Sequence, residues 1–374
     1  MLKNSTWKLE ETNLAEFGSQ LEKDHRKQEG ALEQAWGKST GVGSQTGLWV
    51  WRIENFQVVA VPKADQGKFY NGDSYIILNS YQKKDSDVIL HDIHFWLGEE
   101  TSQDEAGTAA YKTVELDDYL DGKPIQHREV QGHESKQLLS YFRTFSTLSG
   151  GVKTGFHHWT EPEYPARLLM VKSAPTAGGH KSSVVVREVS KDLINTGDVF
   201  VLDTGKVLYQ WNGKKASGIE KVKAAEYAHG IEADRSGDVN VETFDEGDRD
   251  CRIFWAALGG EVEVKPAEAV AQEPDYVKKL FRLSNASGSL DFTKEGSGPE
   301  VTKSLLDSND VFILDVGHEI FVWVGANANK EEHKNGLHYA QEYLKRESLP
   351  SHIPIAKVLE EGDHTMFDNA LNRF

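Results

Sequence analysis

The segment TGDVFVLDTGKVLYQWNG, residues 196–213, occurs again in closely similar form as SNDVFILDVGHEIFVWVG, residues 308–325. A third version, NGDSYIILNSYQKKDSDVILHDIHFWLG, occupies residues 71–98. In each version a polar turn ending in Asp leads into an apolar run typical of a buried strand, and a second run ends in Trp-x-Gly. The repetition predicts one folding unit present three times.

The spacing of these landmarks supports that interpretation. The step from Asp to Trp is 13 residues in the second and third copies and 23 in the first, so the first copy has ten additional residues between its two strands. A hairpin tip accommodates such an insertion at little cost. A lone Glu follows each Trp after eight or nine residues, and the last two copies are about 112 residues apart, which is the size of a domain.

Strand-like runs alternate with helical ones within each copy, which predicts an α/β fold of the α+β type: a central mixed sheet flanked by a long and a short helix. In the first copy we expect strands at LWVWRIENF, YIILNSY, IHFWLG and IQHREV. The expected helices cover 102–120 and 133–147, then 217–230 and 248–258, then 329–346 and 363–372. The predicted domains are 47–165, 166–265 and 275–374, with a polar N-terminal extension at 1–46 and an acidic linker at 266–274.

The composition limits the classes of partner and of chemistry. The formal charge of −17, from 59 acidic and 42 basic side chains, disfavours nucleic acid and anionic lipid as non-specific partners. No run approaches the roughly 18 apolar residues of a membrane span, so we expect no transmembrane segment. Cys251 is the only cysteine, which excludes an intrachain disulfide and favours the reducing cytoplasm. Nucleophile-elbow, P-loop, His-Glu-x-x-His and dinucleotide motifs are missing, so we do not expect an enzyme.

The repeated Asp and Glu indicate a cation site. In the first copy Gly72 and Asp73 begin a strand, and Glu105 lies in the first turns of the following helix. A Gly carbonyl, an Asp carboxylate and a Glu carboxylate are the oxygen ligands that Ca²⁺ prefers. The equivalent residues are Gly197, Asp198 and Glu220 in the second copy and Asn309, Asp310 and Glu331 in the third.

These carboxylates have two other interpretations. Each Asp can cap a turn and each Glu can stabilise a helix N-terminus, which explains any single copy well. Asp73 and Glu105 can also be the acid and base of a hydrolase, but that chemistry needs one pair in one cleft. Because the pairing recurs in all three copies, with a step from Asp to Glu of 22 residues in the second and 21 in the third, we favour the cation site over both.

The predicted helix 102–120 offers more apolar surface than one sheet contact needs. Its small and apolar residues lie on more than one face: Ala106, Ala109, Ala110, Tyr111 and Val114. One strip is expected to pack on the sheet, which leaves a second to bind a partner in the helix-in-groove manner. Asp117 lies near the end of the helix, before a turn whose carbonyls can join its carboxylate around another cation.

Five motifs carry a resemblance to a known family. They are WRIENF at 51–56, FYNGDSYIIL at 69–78, HFWLGEETSQDEAGTAA at 94–110, VELDDYL at 114–120 and IQHREVQGHES at 125–135. Together they closely resemble the first domain of the gelsolin family, and the later copies resemble its second and third domains. The resemblance runs from about Leu48 to Phe374. The three-domain size with a short polar leader is similar to the severin and fragmin group of actin-severing proteins.

The resemblance implies particular Ca²⁺ ligands. The site within the first domain would use the Gly72 carbonyl, Asp73, Glu105 and the Val152 carbonyl. A second site would use Asp117, Gly122 and the Pro124 carbonyl, and an actin carboxylate would complete it. The family has Ala at the position of Pro124, a change that keeps the carbonyl and stiffens the turn. The match extends to Gly197, Asp198, Glu220, Asn309, Asp310 and Glu331.

The resemblance also implies partner surfaces. The helix would insert into the apolar cleft of actin through Ser102, Gln103, Ala106, Ala109, Ala110, Thr113, Val114 and Asp117. Phosphoinositide or filament-side binding is expected to be weak, because the basic stretches of the family are reduced here to Arg143, Arg167 and Lys172. The disulfide positions of secreted gelsolin fall on Val199 and Asn212, which again implies the cytoplasm.

These observations predict a Ca²⁺-dependent actin-binding protein of the cytoskeleton that severs filaments and caps their barbed ends. Ca²⁺ would shift the three domains from a closed to an actin-competent arrangement. Barbed-end capping without severing is the alternative within the same family. A Ca²⁺-buffering protein is the alternative of another class, and it needs no broad apolar helix surface.

Overall fold

The computed structural model describes residues 33–82, 86–151, 166–175, 182–235, 239–267, 276–284, 291–328, 330–362 and 365–372. Each of the three sequence copies forms a unit that combines strands with one long and one short helix. The strands form mixed sheets, so the predicted α+β fold class is confirmed. The domain boundaries stay a prediction.

The first unit contains seven strands and two helices. They are β1 (Gly47–Glu54), β2 (Gln57–Ala60), β3 (Lys68–Tyr70), β4 (Ser74–Gln82), β5 (Ile89–Leu97), α1 (Gln103–Tyr119), β6 (Ile125–Val130), α2 (Lys136–Ser140) and β7 (Thr144–Leu148).

The later units each contain five strands and two helices among the described residues. The second has β8 (Arg167–Pro175), β9 (Ser182–Glu188), β10 (Val199–Asp203), β11 (Val207–Asn212), α3 (Gly218–Asp234), β12 (Asn240–Asp245) and α4 (Cys251–Ala257). The third has β13 (Lys279–Ser284), β14 (Asp291–Ser297), β15 (Val311–Asp315), β16 (Ile320–Val324), α5 (Lys330–Arg346), β17 (Ile355–Leu359) and α6 (Thr365–Asn372).

The prediction of a helix over 133–147 is wrong for most of that length. Only Lys136–Ser140 is helical, and Thr144–Leu148 forms β7. This strand pairs in parallel with β9 of the second unit, and its Phe145 is fully buried. Pairing with another unit is a tertiary interaction, which overrides the local preference of the segment.

The additional residues of the first copy lengthen its hairpin instead of only enlarging the tip. β4 has nine residues, whereas the equivalent β10 and β15 have five. β5 also has nine, whereas the equivalent β11 has six and β16 has five. β4 and β5 pair along that whole length. Only part of the insertion therefore lies in the hairpin tip, where we expected all of it.

Backbone hydrogen bonds join the three units into two sheets. The first sheet has the order β14-β13-β15-β16-β17-β6-β5-β4-β1-β2, and the antiparallel pair β17–β6 joins the third unit to the first. The second has the order β12-β11-β10-β8-β9-β7-β3, and the pair β7–β9 joins the first unit to the second. The first unit is therefore bonded to both of the others.

Each unit buries apolar side chains on both faces of its strands. In the third unit Val311 and Ile313 face the layer of α5, whereas Phe312 and Leu314 face the layer of α6. Coverage on both faces explains why the central strands are continuously apolar instead of alternating. None of the described helices has the length and apolarity needed to cross a membrane.

A close backbone contact at the Trp-x-Gly motif recurs in all three units. The hydrogen bonds run from Gly98 N–H to the Asp73 carbonyl, from Gly213 N–H to the Asp198 carbonyl and from Gly325 N–H to the Asp310 carbonyl, each 3.0 Å. A Cβ added to each glycine would lie within 2.5 Å of the carbonyl oxygen two residues before that Asp. We call this contact the turn–glycine clamp. Only glycine allows the two segments to approach so closely, which explains the third residue of the motif.

The clamp predicts a stability cost for any side chain at its glycine. Gly213→Ala is expected to lower the free energy of unfolding by about 1–3 kcal/mol, because the new methyl group clashes with backbone. The matched control is Gly218→Ala in the first turn of α3, where a Cβ meets no atom within 4 Å. That control is expected to be neutral or stabilising by up to about 1 kcal/mol. Denaturant unfolding of both variants checks this, and equal stabilities would contradict the clamp.

Candidate cation sites and partner-binding helix

The first predicted cation site is held by contacts between the Asn71–Asp73 turn and the residues before α1. Glu100 N–H donates to the Asn71 carbonyl at 2.8 Å, in addition to the clamp. The hydroxyl oxygens of Ser74 and Thr101 lie 2.8 Å apart. The fold therefore places Asp73 next to the segment that leads into the helix of Glu105.

A third segment, Gly150–Gly151, lies against the same turn. Gly72 N–H donates to the Gly150 carbonyl at 2.9 Å. A Cβ on Gly151 would lie 2.5 Å from Oδ1 of Asp73, so the backbone passes directly over this carboxylate. Val152, the predicted carbonyl ligand, is the next residue and lies outside the described residues.

The predicted Glu ligands of the first two units also stabilise the starts of their helices. Ser102 Oγ and backbone N–H both donate to Oε2 of Glu105, and Glu105 N–H donates to Ser102 Oγ. Ser217 and Glu220 form the same capping box in the second unit. The helix-capping interpretation of these residues is therefore correct, and it is compatible with a further role for the carboxylate. Glu331 lies in the first turn of α5, and its side chain is outside the described part of the chain.

Sequence reasoning missed a basic side chain beside the predicted Asp in every unit. The pairs are Arg52–Asp73 at 4.0 Å, Lys172–Asp198 at 3.3 Å and Arg282–Asp310 at 2.7 Å. Each base lies on an earlier strand that pairs with the strand after the Asp. These pairs of strands are β1 with β4, β8 with β10 and β13 with β15. The signal in the sequence is an Arg or Lys within a largely apolar strand-like run. In this arrangement a protein cation supplies positive charge where the sequence predicts a metal.

The charge and burial of the first site suit a hard cation. Asp73 is 1% exposed and Glu105 is 6% exposed. Burial, followed by the negative charge of Asp73, raises the pKa of Tyr75, whereas Arg52 lowers it. Buried carboxylates beside backbone carbonyls are the ligands that Ca²⁺ binds.

The second and third sites differ from the first in what surrounds the Asp. Asn195 Nδ2 donates to Oδ2 of Asp198 at 2.8 Å, and the start of the linker covers Gly197, whose added Cβ would lie 2.7 Å from Ala267. In the third unit Asn309 donates from both its backbone and its side chain to Oδ1 of Asp307. Asp198 is therefore held by Asn195, whereas in the third unit Asn309 is held by Asp307.

The end of α1 contains the residues of the predicted shared site. Asp117 is 7% exposed, and Gly122 N–H donates to its carbonyl at 2.8 Å. Asp121 and Gly122 have φ of 67° and 66°, the left-handed conformation that turns the chain back at a helix end. Pro124, which follows, is buried. The turn therefore lies against the last residues of the helix.

The predicted actin-binding residues of α1 are not equally accessible. Gln103 is exposed, whereas Ser102, Ala106, Ala110 and Val114 are partly buried. Three further residues are buried: Ala109, Thr113 and Asp117. Leu337 of α5 packs against the core that contains Ala109, so the third unit reaches the layer of α1. The closed packing of the units therefore limits access to this helix.

The segment before β1 covers another side of α1. Trp36 and Val42 belong to the same core as Leu116 and Leu120. Lys112 of α1 bonds Glu33 at 2.8 Å and Glu115 at 3.0 Å, and its Nζ lies 6.0 Å from the centre of the Trp36 ring. The described end of the N-terminal extension therefore packs on the first unit.

The three predicted basic residues differ in exposure and in their partners. Arg143 is exposed just before β7, and Arg167 begins β8. Both act electrostatically on neighbouring residues of α3. Lys172 is paired with Asp198 instead of being free for a ligand.

Comparison with known proteins identifies the family. The gelsolin repeat matches three segments of the chain, residues 55–139, 180–254 and 292–358. Gelsolin-like protein 2 of Lumbricus terrestris is 43% identical over 359 residues, which cover 95% of this chain and 94% of that protein. The severin of Echinococcus granulosus is 36% identical over 371 residues, 96% of this chain and 95% of that protein. The protein named "Gelsolin, cytoplasmic" of Homarus americanus is 37% identical over 342 residues, 87% of this chain and 44% of that protein.

The chain therefore belongs to the gelsolin family. It is an actin-binding protein of the class that severs and caps filaments, and it is not an enzyme, as the sequence predicted. The family is regulated by calcium.

Glu105→Gln separates the capping role of Glu105 from a role in cation binding. Glutamine serves equally well in a capping box, so thermal stability without Ca²⁺ is expected to stay unchanged. The loss of a charged ligand is expected to weaken Ca²⁺ binding in the first unit about tenfold or more. Calorimetric titration of the full chain measures this, with Asp73→Ala as the positive control. An unchanged titration of both variants would contradict the site.

Lys172→Gln tests whether the protein cation competes with Ca²⁺ in the second unit. Removal of the ammonium group is expected to strengthen Ca²⁺ binding there by about twofold to fivefold, the size of a partly exposed ion pair. Lys172→Arg keeps the charge and is the matched control. Weaker Ca²⁺ binding by the Gln variant would show that Lys172 does not oppose the metal.

Proposed function

We propose that this protein severs actin filaments and caps their barbed ends in a Ca²⁺-dependent manner, in the cytoplasm and at the cytoskeleton. One observation carries the proposal: predicted cation ligands lie at both ends of α1, and the same helix layer packs against the third unit through Leu337. The helix α1 therefore takes part in ion binding, in the contact between units and in the surface that binds actin.

Strand pairing and side-chain contacts between the units hold the closed arrangement. Besides the β6–β17 pair, Arg128 Nη1 donates to the Ser351 carbonyl at 2.9 Å. The His133 ring stacks on His352, with ring centres 3.6 Å apart. The second unit reaches the same loop through Arg187, whose Nη2 donates to the Gly132 carbonyl at 2.9 Å. These contacts must break before the layer of α1 is fully accessible to actin.

The three Asp–base pairs provide the means of control. When bound, Ca²⁺ supplies the positive charge that Arg52, Lys172 and Arg282 supply in the closed arrangement. Each base is then free to leave its carboxylate, and the strand or loop that carries it loses an anchor. The residues proposed to hold the ion in the first unit are Gly72, Asp73, Glu105 and Val152.

Lys172, once released, lies in the same unit as Arg167 and adds to the basic surface for the filament side. Arg143 is a further, exposed basic residue. Because this surface has few basic residues, we expect phosphoinositide binding to be weak. The cytoplasmic location is supported by the single cysteine, Cys251, which allows no intrachain disulfide.

Two assays test the function. Depolymerisation of pyrene-labelled actin, with and without Ca²⁺, reports the number of filament ends that the protein creates. Microscopy of labelled filaments separates severing from the second candidate, capping alone, because only a severing protein makes internal breaks. Failure to co-sediment with actin in Ca²⁺ would favour a Ca²⁺ buffer instead.

Arg128→Ala is expected to lower the Ca²⁺ concentration needed for half-maximal severing. The variant removes a hydrogen bond between the first and third units, worth about 1 kcal/mol, which corresponds to about a fivefold shift. The control is Lys345→Ala, which removes an ion pair within the exposed face of α5. A Ca²⁺ dependence equal to that of the control would contradict a restraining role for this junction.

A further inference from the structure

A cavity of about 100 Å³ lies where the first and third units meet. The first unit provides its polar wall, with Asp92 on β5, His127 on β6 and Gln137 on α2. The third unit provides an apolar wall that includes Phe321, Val358, Met366 and Phe367. The polar and apolar walls come from different units, so the cavity exists only where the two units are packed together.

Three polar atoms of the first wall have no hydrogen-bond partner within the described ranges: Asp92 Oδ1, His127 Nε2 and Gln137 Oε1. Asp92 is 1% exposed and His127 is 2% exposed. A buried polar atom without a partner costs about 1–3 kcal/mol, and more if the group is charged. Asp92 Oδ1 and His127 Nε2 face each other at ion-pair distance without a hydrogen bond, and a group bound between them and Gln137 Oε1 would satisfy all three atoms.

The geometry selects the kind of group. Asp92 Oδ1 and His127 Nε2 lie 3.8 Å apart, too far for a hydrogen bond. One metal ion bound to both atoms, at about 2.0–2.2 Å from each, fits that separation with a bent angle. The carboxylate is oriented through its other oxygen, since Gln137 Nε2 and the Tyr141 hydroxyl donate to Oδ2 at 2.7 and 3.1 Å. Those bonds leave Oδ1 for the ion.

A neighbouring cluster, His94, His127 and Glu129, is less suitable for a metal. Both nitrogens of His94 are already bonded, to Glu129 at 2.8 Å and to Tyr141 at 3.1 Å. Glu129 also accepts from Ser135 N–H and Oγ–H. The His94 and His127 rings are stacked 4.2 Å apart and nearly parallel, so their lone pairs do not converge. The open coordination position is therefore on the cavity side of His127.

We propose that Asp92, His127 and Gln137 form a binding site for a divalent first-row transition metal ion, with zinc as the reference ion. One imidazole nitrogen with a carboxylate oxygen suits such ions, whereas Ca²⁺ takes oxygen ligands only. Gln137 Oε1 is the third ligand, and the cavity has room for the waters that complete the coordination. The site is separate from the predicted Ca²⁺ sites, and it does not depend on the proposed function.

Calorimetric titration of the full chain with Zn²⁺, in Ca²⁺-free buffer so that the first and third units stay packed together, tests the proposal. The unmodified chain is expected to bind one Zn²⁺ that His127→Asn does not bind. Asp92→Asn is expected to bind it about tenfold or more weakly. The His338→Asn control, at an exposed histidine of α5, is expected to bind as the unmodified chain does.

Two further measurements keep the test decisive. The double variant His133→Asn, His352→Asn removes the stacked histidine pair elsewhere at the junction, and it is expected to keep the ion. If His127→Asn does not fold, Gln137→Leu replaces it and is expected to weaken Zn²⁺ binding and to change the visible spectrum of bound Co²⁺. Equal Zn²⁺ affinity in the unmodified chain and in the Asp92, His127 and Gln137 variants overturns the proposal, as does loss of the ion in the double variant.

Discussion

The close contact between a glycine and the turn that carries the site Asp is the constraint on which each unit depends. It joins the start of one central strand, such as β10, to the end of the next, such as β11. From that point the chain continues toward the long helix. In the second unit Gly213 N–H donates to the Asp198 carbonyl at 3.0 Å, and Lys215 N–H donates to the Thr196 carbonyl at 2.7 Å. Because the segment after the glycine leads directly into a helix that begins with a capping box, the position of Glu220 follows from the same contact. One backbone approach therefore brings together an Asp and a Glu from different parts of the chain.

The charge at this point explains why a basic residue accompanies each Asp. A carboxylate removed from water needs compensating charge or hydrogen bonds, and in this arrangement the neighbouring strand supplies an Arg or a Lys. The partner is close in the third unit, where Arg282 lies 2.7 Å from Asp310, and distant in the first, where Arg52 lies 4.0 Å from Asp73. The first unit therefore combines the most buried Asp with the weakest protein cation. That combination makes it the strongest candidate for a metal ion among the three.

The shared sheets connect these local sites to the arrangement of the units. The first unit contributes β6 to a sheet with the third unit and β7 to a sheet with the second. The first unit is therefore connected to each of the other two by backbone hydrogen bonds. The junction between β6 and β17 also carries the polar cavity with Asp92 and His127, whose opposite wall belongs to the third unit. The proposed function requires this junction to open.

The sequence by itself determined the threefold repetition, the central strands, the long helices and the glycines of the clamp. These follow from local patterns, namely apolar runs, helical periodicity and a motif at fixed spacing, so they are readable without tertiary information. Only the tertiary structure decided that Thr144–Leu148 is a strand, that Lys172 neutralises Asp198, and that the third unit packs on the layer of α1. Each of these depends on residues that are far apart in the chain and come together only when the sheets of different units join, and no local pattern encodes that pairing.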